Sequence, residues 1–410
     1  MTRARAFSSL VLGLSMLSRT APSQTPAPQE SAPTSDLAPA QGSVVVELVV
    51  DDSRGRTITD LKPDEVIVFQ DDVRQTVISL AYRTQYGDYE LRYVPPSGRV
   101  GAVSIRVSRG GSRLRGPDGP QVKPRWVPPI RPFELPLREA LEAPEAPTEF
   151  TYDLALLRFE ARGDTLHHAF VVEIPLKEVT TQTTGARSQA HLSFLLRVKT
   201  DAGRTVHEQS LDQPIDFGAG RGRSLSVMRF VWCSHVHLRA GRYLVEMAVM
   251  DQKASRRSVR RVPLNVDPWP DGLRVSSLTF LLGRDGLMEG EGAGEDDPFR
   301  FEDSALVPLL HPSIAGSEGQ LFLLATLYAD RKASQPVGAA IELHRDGQLR
   351  AKVSLPLPAA DSEGRIRYLG GLGVRSLLPG SYSLKLVAQQ GPARVEEEAT
   401  LTVTAPLRVE

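Results

Sequence analysis

Cysteine is nearly missing from this chain: Cys233 is alone among 410 residues, so no intramolecular disulfide can brace the fold. Charge of one sign is missing too, because 49 basic and 49 acidic side chains cancel. That removes the global field that would draw the protein to nucleic acid or to an anionic membrane. Beyond the first residues, no apolar run approaches the roughly 20 residues that a membrane-spanning helix needs. Catalytic signatures are equally scarce. There is no Gly-x-Ser-x-Gly elbow, and His207-Glu208 lacks the second histidine of a zinc-protease helix. Gly218 to Gly222 and Gly370 to Gly373 complete neither a dinucleotide nor a phosphate loop. Together these absences predict a non-enzymatic chain with no cofactor, no nucleic-acid partner and no integral membrane segment once a signal is removed.

What the chain does have is a short motif, Gly-x-Tyr-x-(Leu/Val), at domain-sized intervals: Gly87 to Leu91, Gly241 to Val245 and Gly380 to Leu384. Each copy opens an alternating run, as in Tyr243, Val245, Met247 and Val249, and alternation with period two buries one face of a strand. A tyrosine near the start of the penultimate strand of an antiparallel sandwich occupies the tyrosine-corner position. Tyr89, Tyr243 and Tyr382 are therefore assigned to structure, and the fold class is all-β, tandem immunoglobulin-like β-sandwich modules joined by Pro-rich linkers.

Composition sets the expected boundaries. Residues 1–20, with Arg3 and Arg5 before an apolar stretch, read as a secretory signal peptide. Residues 21–42, rich in Pro, Ala, Ser and Gln, read as a disordered tether. A small sandwich is expected over 43–115, a stiff Pro-rich linker over 116–149, an immunoglobulin-like sandwich over 150–267 and a third sandwich over 268–410. Within the linker, Leu137 to Leu141 after Pro136 is the one place for a helical turn or two. In the third module, Asp346-Gly347 predicts a hairpin, and Leu321 to Tyr328, apolar on both faces, predicts a central strand. Export without disulfides suits a secreted, periplasmic or envelope protein of a bacterium.

The stretch Val44 to Gln75, with its strand, its Asp51-Asp52-Ser53-Arg54-Gly55 turn and its Leu61-Lys62-Pro63-Asp64-Glu65-Val66-Ile67-Val68 run, resembles the opening of the von Willebrand factor A-related proteins of Acidobacteria. Tyr89 to Arg115 resembles the segment that closes the A domain in that family, and Phe150 to Val266 and Asp297 to Val403 resemble its C-terminal β-rich region. The A domain itself, an α/β unit, should lie between Gln75 and Tyr89, where only about a dozen residues stand. Its Asp-x-Ser-x-Ser metal motif has a partial counterpart in Asp51-x-Ser53-x-Gly55, which reads as an ordinary turn. The resemblance thus implies an exported multi-module β protein without metal-dependent adhesion.

Four features are candidates for binding. Cys233, His235 and His237 fall on one face of a strand at period two, a partial ligand set for zinc, with Trp232, Ser234, Val236 and Leu238 on the other face. A basic run, Arg99, Arg106, Arg109, Arg113, Arg115, Lys123 and Arg125, could meet anions or form the wet face of a strand. The acidic segment Asp285 to Asp297 reads as a loop with no EF-hand spacing. Trp126 or Trp269 would supply the platform of a glycan site. The expected function is a protein-interaction or structural module of the bacterial envelope, with another envelope or extracellular protein as partner. The alternatives are a carbohydrate-binding accessory protein and, further off, a metal-dependent enzyme at Cys233, His235 and His237.

Overall fold

Alternating valines build the first sheet. In Ser43–Asp51 the side chains of Val44, Val46, Leu48 and Val50 enter one core, while Val45 and Val49 on the opposite face are buried as well. Burial on both faces makes this a central strand. It pairs with Asp88–Tyr93 on one side and with Arg113–Arg115 and Pro124–Val127 on the other. A small second sheet of Val73–Gln75, Val66–Gln70 and Val103–Val107 closes the core. The computed structural model describes residues 42–404 apart from 85, 96–97, 118, 120, 163, 185–186, 218–227, 270, 283–287, 290–297, 302–303, 316–320 and 374–376. The signal peptide, the tether up to residue 41, the Gly218 to Gly222 cluster and nearly all of the acidic segment lie outside the described residues.

Residues 116–149, expected as a stiff linker, hold a strand, a 3-10 turn at Pro132–Glu134 and an α-helix among the described residues. Pro124–Val127 joins the first sheet, which is compatible with proline because Pro124 is the first residue of its strand. Leu135–Glu142 is an α-helix with proline in its first turn. Its Leu137, Ala140 and Leu141, spaced i, i+3 and i+4, sit on Leu195, Ala248, Met250 and Val259 of the second sandwich. The prolines end the sheet without freeing the segment.

The second sandwich has an inner sheet of Asp153–Arg162, Thr165–Pro175 and Arg229–Arg239, to which Met288–Glu289 adds in parallel. Its outer sheet contains Gln182–Thr184, Arg187–Thr200, Thr205–Phe217, Gly241–Asp251 and Arg256–Val266. Phe170, Phe194, Phe230, Trp232 and Met247 fill the space between them. The third sandwich has an inner sheet of Arg274–Val275, Thr279–Leu282, Val307–Leu309, Leu321–Tyr328 and Arg365–Leu372. Its outer sheet runs Ser313–Ala315, Ala393–Thr404, Gly380–Gln390, Gly338–Arg345, Gln348–Ser354 in that spatial order. Asp346 and Gly347 take φ of 53° and 73°, the left-handed values of a type I′ hairpin turn.

The two larger sandwiches are stacked face to face. Phe159, Ala169, Val171 and Val231 of one inner sheet meet Leu281, Phe299, Val307 and Leu324 in a buried cluster of their own. Helix Leu135–Glu142, the two sheets of the second sandwich and the two of the third therefore form five successive layers. Leu321–Tyr328 shows why: Leu321, Leu323, Ala325 and Leu327 face its own sandwich, and Phe322 and Leu324 face the neighbour.

The three motif tyrosines divide two to one. The Tyr243 hydroxyl donates to the Arg239 carbonyl at 2.9 Å and that of Tyr382 to the Leu378 carbonyl at 2.7 Å, each four residues back, as in a tyrosine corner. Tyr89, only 1% exposed, instead accepts from the Leu61 N–H at 2.9 Å, because a loop rather than a preceding strand packs over it. Tyr89→Phe leaves that N–H buried without a partner and should cost about 2 kcal/mol, against about 1 kcal/mol or less for Tyr243→Phe at its wetter site. Urea denaturation of the two variants reads the difference, and equal losses would contradict the assignment.

Candidate functional site

The strand Arg229–Arg239 places Cys233, His235 and His237 toward the third sandwich and Trp232, Ser234, Val236 and Leu238 toward its own core. Antiparallel pairing sets His167 opposite His237, Ala169 opposite His235 and Val171 opposite Cys233. Cys233 thereby packs into the apolar joint, and His237 at the far end reaches solvent. His167 stacks on His237 with ring centroids 4.7 Å apart and planes 13° from parallel, and lies 5.4 Å from His235. Phe299 of the third sandwich stands 6.2 Å from His235 and edge-on to Phe159 at 5.6 Å. The result is an aromatic row along the rim of the joint. Stacked imidazoles present faces to each other and spread their in-plane nitrogens apart, whereas a zinc site needs lone pairs converging on one point. Among the described residues, no group of three or more His, Cys, Asp or Glu side chains is arranged to hold a metal ion.

Two histidines face the interior of the second sandwich. Burial holds the His168 pKa below its ordinary value, with Arg158 and His237 acting the same way against a bond from its Nδ1 to the Leu166 carbonyl. Burial likewise lowers His207, with Glu208 opposing, where Nε2 lies 3.3 Å from Ser234 Oγ. An imidazole with a lowered folded pKa is protonated first in the unfolded chain. The stability it contributes is present above the unfolded value of about 6.5 and is lost as pH falls through the window below it. The urea midpoint should therefore be lower at pH 5.5 than at pH 7.5, and His168→Gln combined with His207→Gln should reduce that difference. A difference unchanged in the double variant would remove these two side chains as its source.

Ser193, His191 and Asp212 also meet, but in an order unsuited to nucleophilic catalysis. Asp212 Oδ1 accepts from both Ser193 Oγ at 2.5 Å and His191 Nε2 at 2.8 Å, so the carboxylate stands where a base should be. Two members of the basic run are held in ion pairs: Arg109 with Glu65 and Asp60, and Arg115 with Asp51. The Arg109 guanidinium and the Lys62 N–H keep Glu65 down at about 2. Neither tryptophan named for glycan binding is a free platform. Trp126 packs in the first core, and Trp269 lies against the second core and edge-on to Tyr328 at 4.8 Å.

A cleft of about 390 Å³ separates the first and second sandwiches. Its walls carry Arg83, Arg197 and Arg204 beside Glu47 and Glu208. Glu47 pairs with Arg83 at 3.1 Å and reaches across to Arg204 at 3.3 Å. Burial works against the Glu208 carboxylate, but Arg138 and Arg197 hold its pKa below the usual range. This seam is polar and arginine-rich, with six arginines against three glutamates on its walls, in contrast to the apolar joint between the second and third sandwiches.

No protein-family model matches the chain, and a search of curated proteins finds no match. Among solved structures, the fibronectin(III)-like modules of CbhA from Clostridium thermocellum align at 11% identity over 63% of this chain and 97% of that one, with a TM-score of 0.17. Alpha-2-macroglobulin of E. coli in its native conformation aligns at 10% identity over 89% of this chain and 21% of that one, with a TM-score of 0.18. The same protein activated by porcine elastase aligns at 10% identity over 90% and 41% of the two chains, with a TM-score of 0.15. The all-β assignment rests on the strand pairing and cores described above.

Proposed function

We propose that this chain is an exported, non-enzymatic protein that serves as an interaction or structural module of a bacterial envelope. The observation that carries the reading is the layered stack. Two sandwiches that bury their facing sheets against each other form a stiff body, and what remains for contact is its strand edges and loop ends. Cys233 packs into that joint, and the histidines line its rim. Export draws its support from the basic and apolar order of residues 1–20, and the envelope setting from the resemblance to the von Willebrand factor A-related proteins of Acidobacteria. The test is affinity capture with cross-linking from an envelope extract of the producing organism. A stoichiometric protein partner bears the reading out. Capture of glycan without protein would replace it.

A further inference from the structure

The outer sheet of the third sandwich ends on Gln348–Ser354, and among the described residues nothing pairs with the far side of that strand. All seven of its residues are exposed. A bulge at the hairpin end leaves Ala351 to Ser354 in regular register with Gly338–Arg345. The register then shows what each face of the sheet presents at its edge. On the outward face, Glu398, Lys385, Glu342 and Lys352 lie on one rung, strand by strand. Lys352 pairs with Glu342 at 3.0 Å, and Lys385 with Glu396 at 3.2 Å. Sign alternates from strand to strand, and the row stops on a lysine. Arg350, beside it, has no ion pair or hydrogen bond among the described residues.

On the inward face, Leu386, Ile341 and Val353 form the adjacent rung. Their exposure climbs from 0% through 7% to 60%, so an apolar rung that begins in the core runs out into water. The next strand in this series would place an acid beside Lys352 and, one residue along, an apolar side chain beside Val353. A second copy paired antiparallel about Ala351 or about Lys352 sets like charges directly opposite, which destabilises a ladder.

We propose that this edge takes up an extended segment of a partner protein in which acidic and apolar residues alternate. Main-chain bonds to the open edge supply the binding, and the two rungs select the sequence. The inference rests on the interaction reading above and gives it a surface.

The experiment uses the full chain and two fluorescent octapeptides, one alternating Glu and Val, the other alternating Lys and Val, followed by anisotropy. The Glu/Val peptide should bind at least about fivefold more tightly than the Lys/Val peptide, given the modest worth of each cross-strand charge pair. Lys352→Glu should reverse that preference, and Val353→Lys should weaken both peptides. Unchanged circular dichroism would certify both variants as folded, as substitutions on a fully exposed strand allow. Absence of binding, equal binding of the two peptides, or a dimer in sedimentation equilibrium that Val353→Lys dissolves would each overturn the proposal. If Val353→Lys captures the envelope partner as well as the native chain does, the edge proposal fails while the interaction reading stands. Peptide binding with no partner captured separates them the other way.

Discussion

Leu281→Ala is expected to loosen two sandwiches at once. Leu281 is 0% exposed and belongs to the third sandwich, yet it packs in the cluster formed with Ala169, Val171 and Val231 of the second. Truncation removes about three methylene-sized groups from a site walled by two β-sheets, which cannot collapse to fill it, so the cost should be about 3 kcal/mol. Hydrogen exchange read by mass spectrometry distinguishes a joint from a mere neighbour. Peptides from Thr165–Pro175 and from Leu321–Tyr328 should lose protection together, by similar factors. Loss confined to the third sandwich would mean that the two units open independently and that the shared cluster contributes little to either.

The joint is also where sequence reasoning ran out, for a reason visible in particular residues. Three modules were legible from the recurring Gly-x-Tyr motif, the hairpin from Asp346-Gly347 and the central position of Leu321–Tyr328 from its two apolar faces. In Thr165–Pro175 the inward face carries Leu166, Phe170, Val172 and Ile174. Its other face reads His167, Ala169, Val171, Glu173, half polar, which is the pattern of a strand with one wet side. Only the folded chain shows that His167 has His237 to stack on and that Glu173 has a cation. Those partners are distant in sequence, so period-two alternation carries no trace of them. Cys233 was obscured in the same way, since a lone cysteine at period two from two histidines reads as a partial ligand set, and only the fold shows Leu281 and Phe299 against that face. The helix shows the converse error of emphasis. Leu137, Ala140 and Leu141 already carried helical spacing, but the density of prolines around them argued for a stiff linker, and proline forbids strands more strongly than it forbids docking.

Arg229→Met should be the most damaging conservative substitution in the joint. Glu173 is 0% exposed, and its carboxylate has two partners: the Arg229 guanidinium and the Leu310 N–H at 2.8 Å. Arg229 also reaches the His311 carbonyl at 3.4 Å. The strand Thr165–Pro175 is therefore tied through one carboxylate both to its sheet neighbour and to the backbone of the third sandwich. Methionine keeps much of the arginine stem's volume but leaves a buried anion with a single neutral donor, and breaking a buried pair from one side costs about 3–5 kcal/mol. Glu173→Gln in the native background should cost less, because an amide carbonyl can still accept from Leu310 and the arginine left without its counter-ion is partly exposed to water. Combining the two substitutions removes the stranded charge, so the double variant should be more stable than Arg229→Met alone. Guanidinium denaturation of the four proteins gives the coupling energy directly. Strict additivity would show that the pair is solvated in solution and that Glu173 holds the third sandwich through the Leu310 bond without help from the arginine.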